Sequence, residues 1–180
     1  MGLTHRRDRL CVVQLSDGNG DAHLVQFAPD QYEAPNLGKL LADVERTKIL
    51  HFARFDVALI LQYMNVVMQP IYCTKIASKL ARTYTDRHGY KDICKELLGV
   101  DISKQQQSSD WGAAELSQQQ VDYAASDVLH LHQLRDKFNA MLEREQRLEL
   151  ALACCHFIPV RAQLDLMGWD EQDIFSHSSK

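Results

Sequence analysis

The chain has 180 residues, is 46% hydrophobic, and carries 20 Lys and Arg against 24 Asp and Glu, a formal charge of −4. That is enough material for one folded domain with a real core, and the negative balance excludes a protein that grips long duplexes by neutralising many phosphates. No apolar run of membrane-spanning length and no leader pattern is read in it. The five cysteines, Cys11, Cys73, Cys94, Cys154 and Cys155, lack zinc-like spacing and read as reduced, mostly buried thiols of a cytoplasmic protein.

In chain order, Leu10 to Leu15 predicts an apolar strand, Asp17-Gly18-Asn19-Gly20 a turn, and Ala22 to Phe27 the returning strand of a hairpin. A helix follows Pro35-Asn36 and runs to Val44, so Asp43-Val44-Glu45 is a solvated helix end. Lys48 to Phe52 reads as a short buried strand, and from Arg54 the apolar spacing turns helical at once. A strand near Pro70 to Cys73 and a helix from Thr74 to Arg82 come next. From Tyr90 onward the chain is largely helical, interrupted by a Gln-rich loop over 104–110. Residues 146–180 form an apolar helical extension to the domain of residues 1–145, packing back on it or at a subunit interface.

Two places carry chemistry. Asp56 falls where a strand ends and a helix begins, the usual ligand position in an open α/β sheet; an acidic residue there also complements a helix N-terminus. Tyr123 and Asp127 stand four residues apart with no helix breaker between them, so both project from one helix face. A carboxylate on that face can hold a hard divalent cation, which takes oxygen ligands, while the phenol one turn away reaches a water beside it. Taken singly, each place is also ordinary surface chemistry.

The run His51-Phe52-Ala53-Arg54-Phe55-Asp56, with Tyr123-Ala124-Ala125-Ser126-Asp127, resembles the second and third motifs of the DEDDy 3′-5′ exonucleases, the ribonuclease D group. The stretch Lys104 to Trp111, with its Ser109-Asp110-Trp111, is similar to the run that precedes the tyrosine motif in that group. Arg7 to Leu15, Cys73 to Leu80 and Thr83 to Gly89 resemble the short single-domain bacterial members of the nano-RNase C type. The resemblance covers about Arg9 to Phe138.

It implies a ribonuclease H-like α/β fold with a mixed sheet and a largely helical C-terminal half. It also implies a 3′-5′ exoribonuclease acting by a two-metal mechanism, with two Mg2+ or Mn2+ ions and release of nucleoside 5′-monophosphates. Asp56 and Asp127 would be metal ligands, and Tyr123 would orient or deprotonate the attacking water. Substrate contacts are expected from Leu3, His51, Phe55, His88, Lys104, Gln107, Ser108 and Trp111. His51 is expected to be packed at the strand end rather than bound to metal. Trp111 stacks on a base or anchors a loop, and Gly89 supplies a positive φ that caps the helix from Tyr90. The partners implied are short single-stranded RNA or dinucleotides and further copies of the chain in a ring.

The first motif of the family, an Asp-x-Glu strand, would precede Gly2-Leu3. Either the start lies at an internal methionine or the gene is truncated. Without those carboxylates the sheet would lack a central strand, and instability, weak metal binding and little turnover are expected. A non-catalytic, nucleic-acid-binding or oligomer-forming remnant and a proofreading-type DNA exonuclease remain as alternatives.

Overall fold

The computed structural model of the chain describes residues 8–103, 105, 106 and 108–177. Strand β1 (Val12–Leu15) pairs antiparallel with β2 (His23–Gln26), with Val12 opposite Gln26 and Leu15 opposite His23. The connection is a chain of side-chain turns. Asp17 Oδ1 accepts the Asn19 N–H at 3.1 Å, Asn19 Oδ1 accepts the Asp21 N–H at 2.7 Å, and Gly18 and Gly20 take φ of 88° and 105°. The ladder is shorter than the apolar run around it. Leu10 and Phe27 lie outside it and are buried, with the Phe27 N–H donating to the Cys11 carbonyl at 2.8 Å.

Helix α1 (Pro35–Ala42) starts on a proline, which fits a first turn, and buries Leu37 and Leu41. It ends at Asp43, whose carboxylate takes the Glu45 N–H and the Arg46 guanidinium at 3.0 Å each, the solvated end expected of Asp43 to Glu45. Strand β3 (Lys48–Leu50) leads into α2 (Ala53–Met64) and runs parallel to β4 (Ile71–Cys73), Lys48 opposite Ile71 and Leu50 opposite Cys73. The sheet content is therefore mixed, one antiparallel and one parallel pair. No ladder joins β1 to β3 among the described residues, and every residue of both strands is half-buried.

The rest is helical: α3 (Thr74–Ala81), α4 (Tyr90–Leu98), α5 (Gln118–Leu129), α6 (Leu131–Arg144), α7 (Leu148–His156), α8 (Ile158–Leu164) and a π-helical segment Asp165–Trp169. Two apolar clusters form. One gathers Leu37, Leu41, Val57, Ile60, Ile71 and Ile158 between the hairpin side, α2 and α8. The other gathers Ile93, Leu134, Phe138 and Leu142 with Tyr72 and Ala77, between β4, α3, α4 and α6. Helix α2 belongs to the first cluster, whereas α5 gives no residue to either and buries Ala124 on its own.

Two expectations change. Gly89 has φ −71°, an extended conformation open to any residue, so it supplies no positive φ. Its hydrogen matters for space instead, because a Cβ there would stand 2.9 Å from Asp92 Oδ2. And Leu148–Trp169 is, by length and composition, a 22-residue helical stretch able to cross a membrane. Its Ala151, Cys155, Ile158 and Ala162 are buried against the domain, and its Asp165 is in ion pairs, so here it packs as part of the fold.

Candidate active site

Helix α2 begins in an unusual way. Phe52 precedes it in the left-handed region (φ 63°, ψ 42°), a turn that takes the chain from the end of β3 directly into helix and sets Asp56 in the first turn. Helix α5 is started firmly by a capping box. The Ser117 hydroxyl accepts the Gln120 N–H at 3.3 Å, and Gln120 Oε1 accepts the Ser117 N–H at 2.9 Å. Buried Gln120 also donates to the Asp110 carbonyl at 2.9 Å, tying the preceding loop to the helix. That loop is held to the hairpin by Arg9, donating to Gly112 O at 3.2 Å, and by Gln26, donating to Ala113 O at 2.7 Å.

A run of contacts links His51, which precedes α2, to α5. The His51 imidazole meets Thr74 Oγ1 at 3.0 Å and packs on Tyr90 with ring centroids 5.6 Å apart; the Tyr90 hydroxyl donates to the Ser126 carbonyl of α5 at 3.0 Å. Asp127 stands near enough for its charge to act on Asp56. Burial pushes Asp56 up to about 7, with the Asp127 charge adding to it, and burial pushes Asp127 up to about 6. Neither carboxylate makes an ion pair among the described residues. Tyr123 is pushed up to about 12, by burial and then by Asp127, so its phenol is neutral at any ordinary pH. Trp111 stands beside it, ring centroids 5.9 Å apart.

The other expected contacts scatter. His51 is driven down to about 4 by burial and by the Lys75 charge, so it is a neutral imidazole engaged with Thr74. Phe55 is half-buried and packs on the first apolar cluster. His88 meets Ser78 Oγ at 2.9 Å, with burial, Arg82 and Lys79 holding it below its usual value. Ser108 is exposed in a turn, while Leu3, Lys104 and Gln107 lie outside the described residues. Three residues escaped the sequence reading: Thr74 and Tyr90, which connect β3 to α5, and Lys75, whose ammonium sits 4.2 Å over the exposed ring of Phe52. Thr74 and Lys75 fall within the Cys73–Leu80 stretch of the resemblance, but no spacing there assigns them a contact.

Asp56 and Asp127 are hard oxygen donors whose mutual repulsion a divalent cation would relieve, so the donor chemistry fits such an ion. Among the described residues no group of three or more His, Cys, Asp or Glu side chains converges as a cage.

The model of the 3′-5′ exonuclease family matches residues 1–143. Ribonuclease D of Granulibacter bethesdensis is 38% identical over 139 residues, 77% of this chain and 35% of that protein. The chain thus spans about a third of the length of the curated relatives it matches. A structure of Brucella melitensis NrnC with bound Mg2+ superposes with a TM-score of 0.94 at 57% identity, covering 98% of this chain and 86% of that one. A structure of Brucella melitensis NrnC bound to pGG gives 0.95 at 58%, with the same coverage. Motif spacing, helix placement and these likenesses agree, and the chain belongs to the 3′-5′ exonuclease family.

Proposed function

We propose that the protein is a metal-dependent 3′-5′ exoribonuclease of the ribonuclease D kind that removes nucleoside 5′-monophosphates from short RNA. The observation that carries this is the pairing of two desolvated carboxylates, Asp56 and Asp127, with a neutral phenol one helical turn from the second. Relatives of Mg2+-bound and pGG-bound structure support the choice of cofactor and of a short oligonucleotide.

Asp56 and Asp127 would hold Mg2+ or Mn2+, two ions where the full acidic set of the family is present. When bound, the metal supplies Lewis-acid stabilisation of the charge that builds on the phosphate. The remaining work belongs to side chains. Tyr123, one helical turn from Asp127, orients through its hydroxyl the water that attacks phosphorus. The P–O3′ bond then breaks, leaving a new 3′ hydroxyl on the shortened RNA and the released nucleotide with its 5′ phosphate. Trp111, next to Tyr123, offers a ring face for the terminal base. His88, held below its usual value, can hydrogen-bond to a phosphate or ribose.

The test is an assay of the full-length protein on short RNA and DNA oligomers with Mg2+ or EDTA. Stepwise release of 5′-mononucleotides from RNA, only with metal, is expected. Tyr123→Phe should lower kcat about 10²-fold with KM little changed, the size typical for loss of one positioned proton donor or acceptor. Binding without hydrolysis would establish the non-catalytic reading, and faster DNA cleavage the proofreading one.

We also propose that the protein works as a homo-oligomer in the cytoplasm. Leu150, Val160, Met167, Trp169, Ile174 and Phe175 are exposed along the C-terminal segment, and Phe175 keeps 77% of its surface. Light scattering should show a multimer. A clean monomer at micromolar concentration would exclude the ring.

A further inference from the structure

Residues beyond 143 lie outside the matched exonuclease family model, yet they grip the helix that carries Asp56. Arg54 is two residues before Asp56, in the same first turn of α2. Two residues along a helix are about 200° apart around its axis, so Arg54 leaves α2 on a different face from Asp56, and it meets the chain's far end. Its Nε donates to Asp165 Oδ2 at 2.5 Å and its Nη2 to Asp165 Oδ1 at 2.8 Å, a fork on one carboxylate; Nη2 also donates to the Asp170 carbonyl at 2.6 Å. Asp165 is buried and shared. Arg161 Nε donates to its Oδ1 at 2.8 Å, and the same guanidinium reaches the carbonyls of Trp169 and of Gln172, the latter at 3.2 Å. Two guanidinium groups thus converge on a buried carboxylate and hold the backbone of residues 165–172.

The consequence concerns the start of α2. Its entry turn is left-handed at Phe52, and the next residue, Ala53, is completely buried, so the chain has little room to shift sideways. Rotation of the first turn about the helix axis is what would move Asp56 relative to Asp127. A planar fork fixed to a buried partner resists that rotation, because both hydrogen bonds would be lost together. Helix α2 is held further by its packing against α8, which leads directly into the Asp165 segment.

We propose that the C-terminal segment is part of the catalytic apparatus, with Arg54 as a positioning residue that, locked by Asp165 and Arg161, sets the orientation of Asp56. This rests on the reading of Asp56 and Asp127 as the cation-holding pair. It assigns a role to residues 161–172 that their exclusion from the family match does not suggest, and it separates Arg54 from the surface arginines that only balance charge.

The experiment measures three properties of the full-length protein in Arg54→Gln, Arg54→Lys, Asp165→Asn and, as a reference, Asp127→Ala. These are Mn2+ affinity by titration calorimetry, kcat and KM on a short RNA, and hydrogen exchange of the amides at 55–57 beside the thermal midpoint. Arg54→Gln and Asp165→Asn should weaken Mn2+ binding and lower kcat about tenfold each, the effect typical of losing a supporting contact behind a metal ligand. KM for RNA should stay within about twofold, since Arg54 leaves α2 on a different face from Asp56. Exchange at 55–57 should quicken while the second apolar cluster stays protected. Arg54→Lys, which keeps charge but loses the fork, should fall between. Wild-type Mn2+ affinity and kcat in Arg54→Gln and Asp165→Asn, with Asp127→Ala strongly impaired, would overturn this inference and leave the proposed function standing. Unchanged Mn2+ binding in Asp127→Ala as well would overturn both.

Discussion

Replacing Asp56 or Asp127 by asparagine is expected to lower kcat/KM for RNA by about 10³-fold or more and, at the same time, to stabilise the metal-free protein at alkaline pH. Both effects have one origin. The fold holds two carboxylates in a desolvated place, Asp56 pushed up to about 7 and Asp127 to about 6, where free carboxyls titrate near 3.8. The folded state therefore binds protons more tightly than the unfolded state between those limits. By linkage, stability without metal rises as pH falls from about 8 toward 4, and it falls again as pH climbs through the folded values. Asparagine carries no charge to desolvate and removes its share of that slope, a gain on the order of 2 kcal/mol at pH 8. Saturating Mg2+ reverses the order, because wild type alone gains from binding, by about 2.7 kcal/mol at a hundredfold excess over Kd. Thermal unfolding of wild type, Asp56→Asn and Asp127→Asn, at pH 5 to 8.5 with EDTA or Mg2+, checks the crossing. A pH-independent wild type in EDTA, or variants less stable than wild type at pH 8, would remove the electrostatic basis of the site.

The placement of Asp56, Tyr123 and Asp127 on their helices was legible because it depends on local rules. A breaker-free run places Tyr123 and Asp127 on one face, and a switch from strand to helical periodicity places Asp56 at an entry turn. The strands were legible too, though shorter than their apolar runs, since Leu10 and Phe27 are buried without joining the ladder. What could not be read is the complementarity between distant segments. Nothing near His51 says that it will meet Thr74, 23 residues on, and nothing near Arg54 names Asp165, 111 residues on. Composition also misled at the far end, where Leu148–Trp169 is more membrane-like than the sequence reading allowed, yet packs on both apolar clusters. Gly89 shows the same limit on a small scale: its conformation is ordinary, and only the approach of Asp92 makes its missing side chain useful. Arg82, the last residue of the expected helix, is wholly buried, and only its distant partner Glu96 explains why.

Arg82→Met is expected to destabilise the protein by about 3 kcal/mol, the lower end of what breaking a buried charge pair costs, because Glu96 retains contact with water. The guanidinium is completely enclosed and every edge is used. Nε and Nη2 both donate to Glu96, the former at 3.1 Å, while Nη1 donates to Ser78 Oγ at 3.0 Å and to the Arg87 carbonyl at 2.7 Å. Tyr84 closes the cluster, its hydroxyl donating to Glu96 Oε1 at 2.6 Å. Methionine fills the volume but leaves Ser78 and the Arg87 carbonyl without that donor, and the expected fall in the thermal midpoint is roughly 10 °C. Arg82→Lys should lose less, keeping the charge and one contact. The pH dependence identifies the cause. Arg82 holds Glu96 below its ordinary value of 4.5, so the pair's contribution is fully present above that value and is lost as pH falls through the depressed one. The gap between wild type and Arg82→Met should therefore be largest from pH 7 to 8, narrow somewhat below about 6.5 as His88, freed of the Arg82 charge, takes its proton more readily, and narrow further below about pH 4. Function follows through the loop: Ser78 and Arg87 frame His88, so the variant should raise KM for RNA more than it lowers kcat. A stability loss that is independent of pH down to 3, or an unchanged KM, would mean that the cluster neither depends on the Glu96 charge nor holds His88 in place.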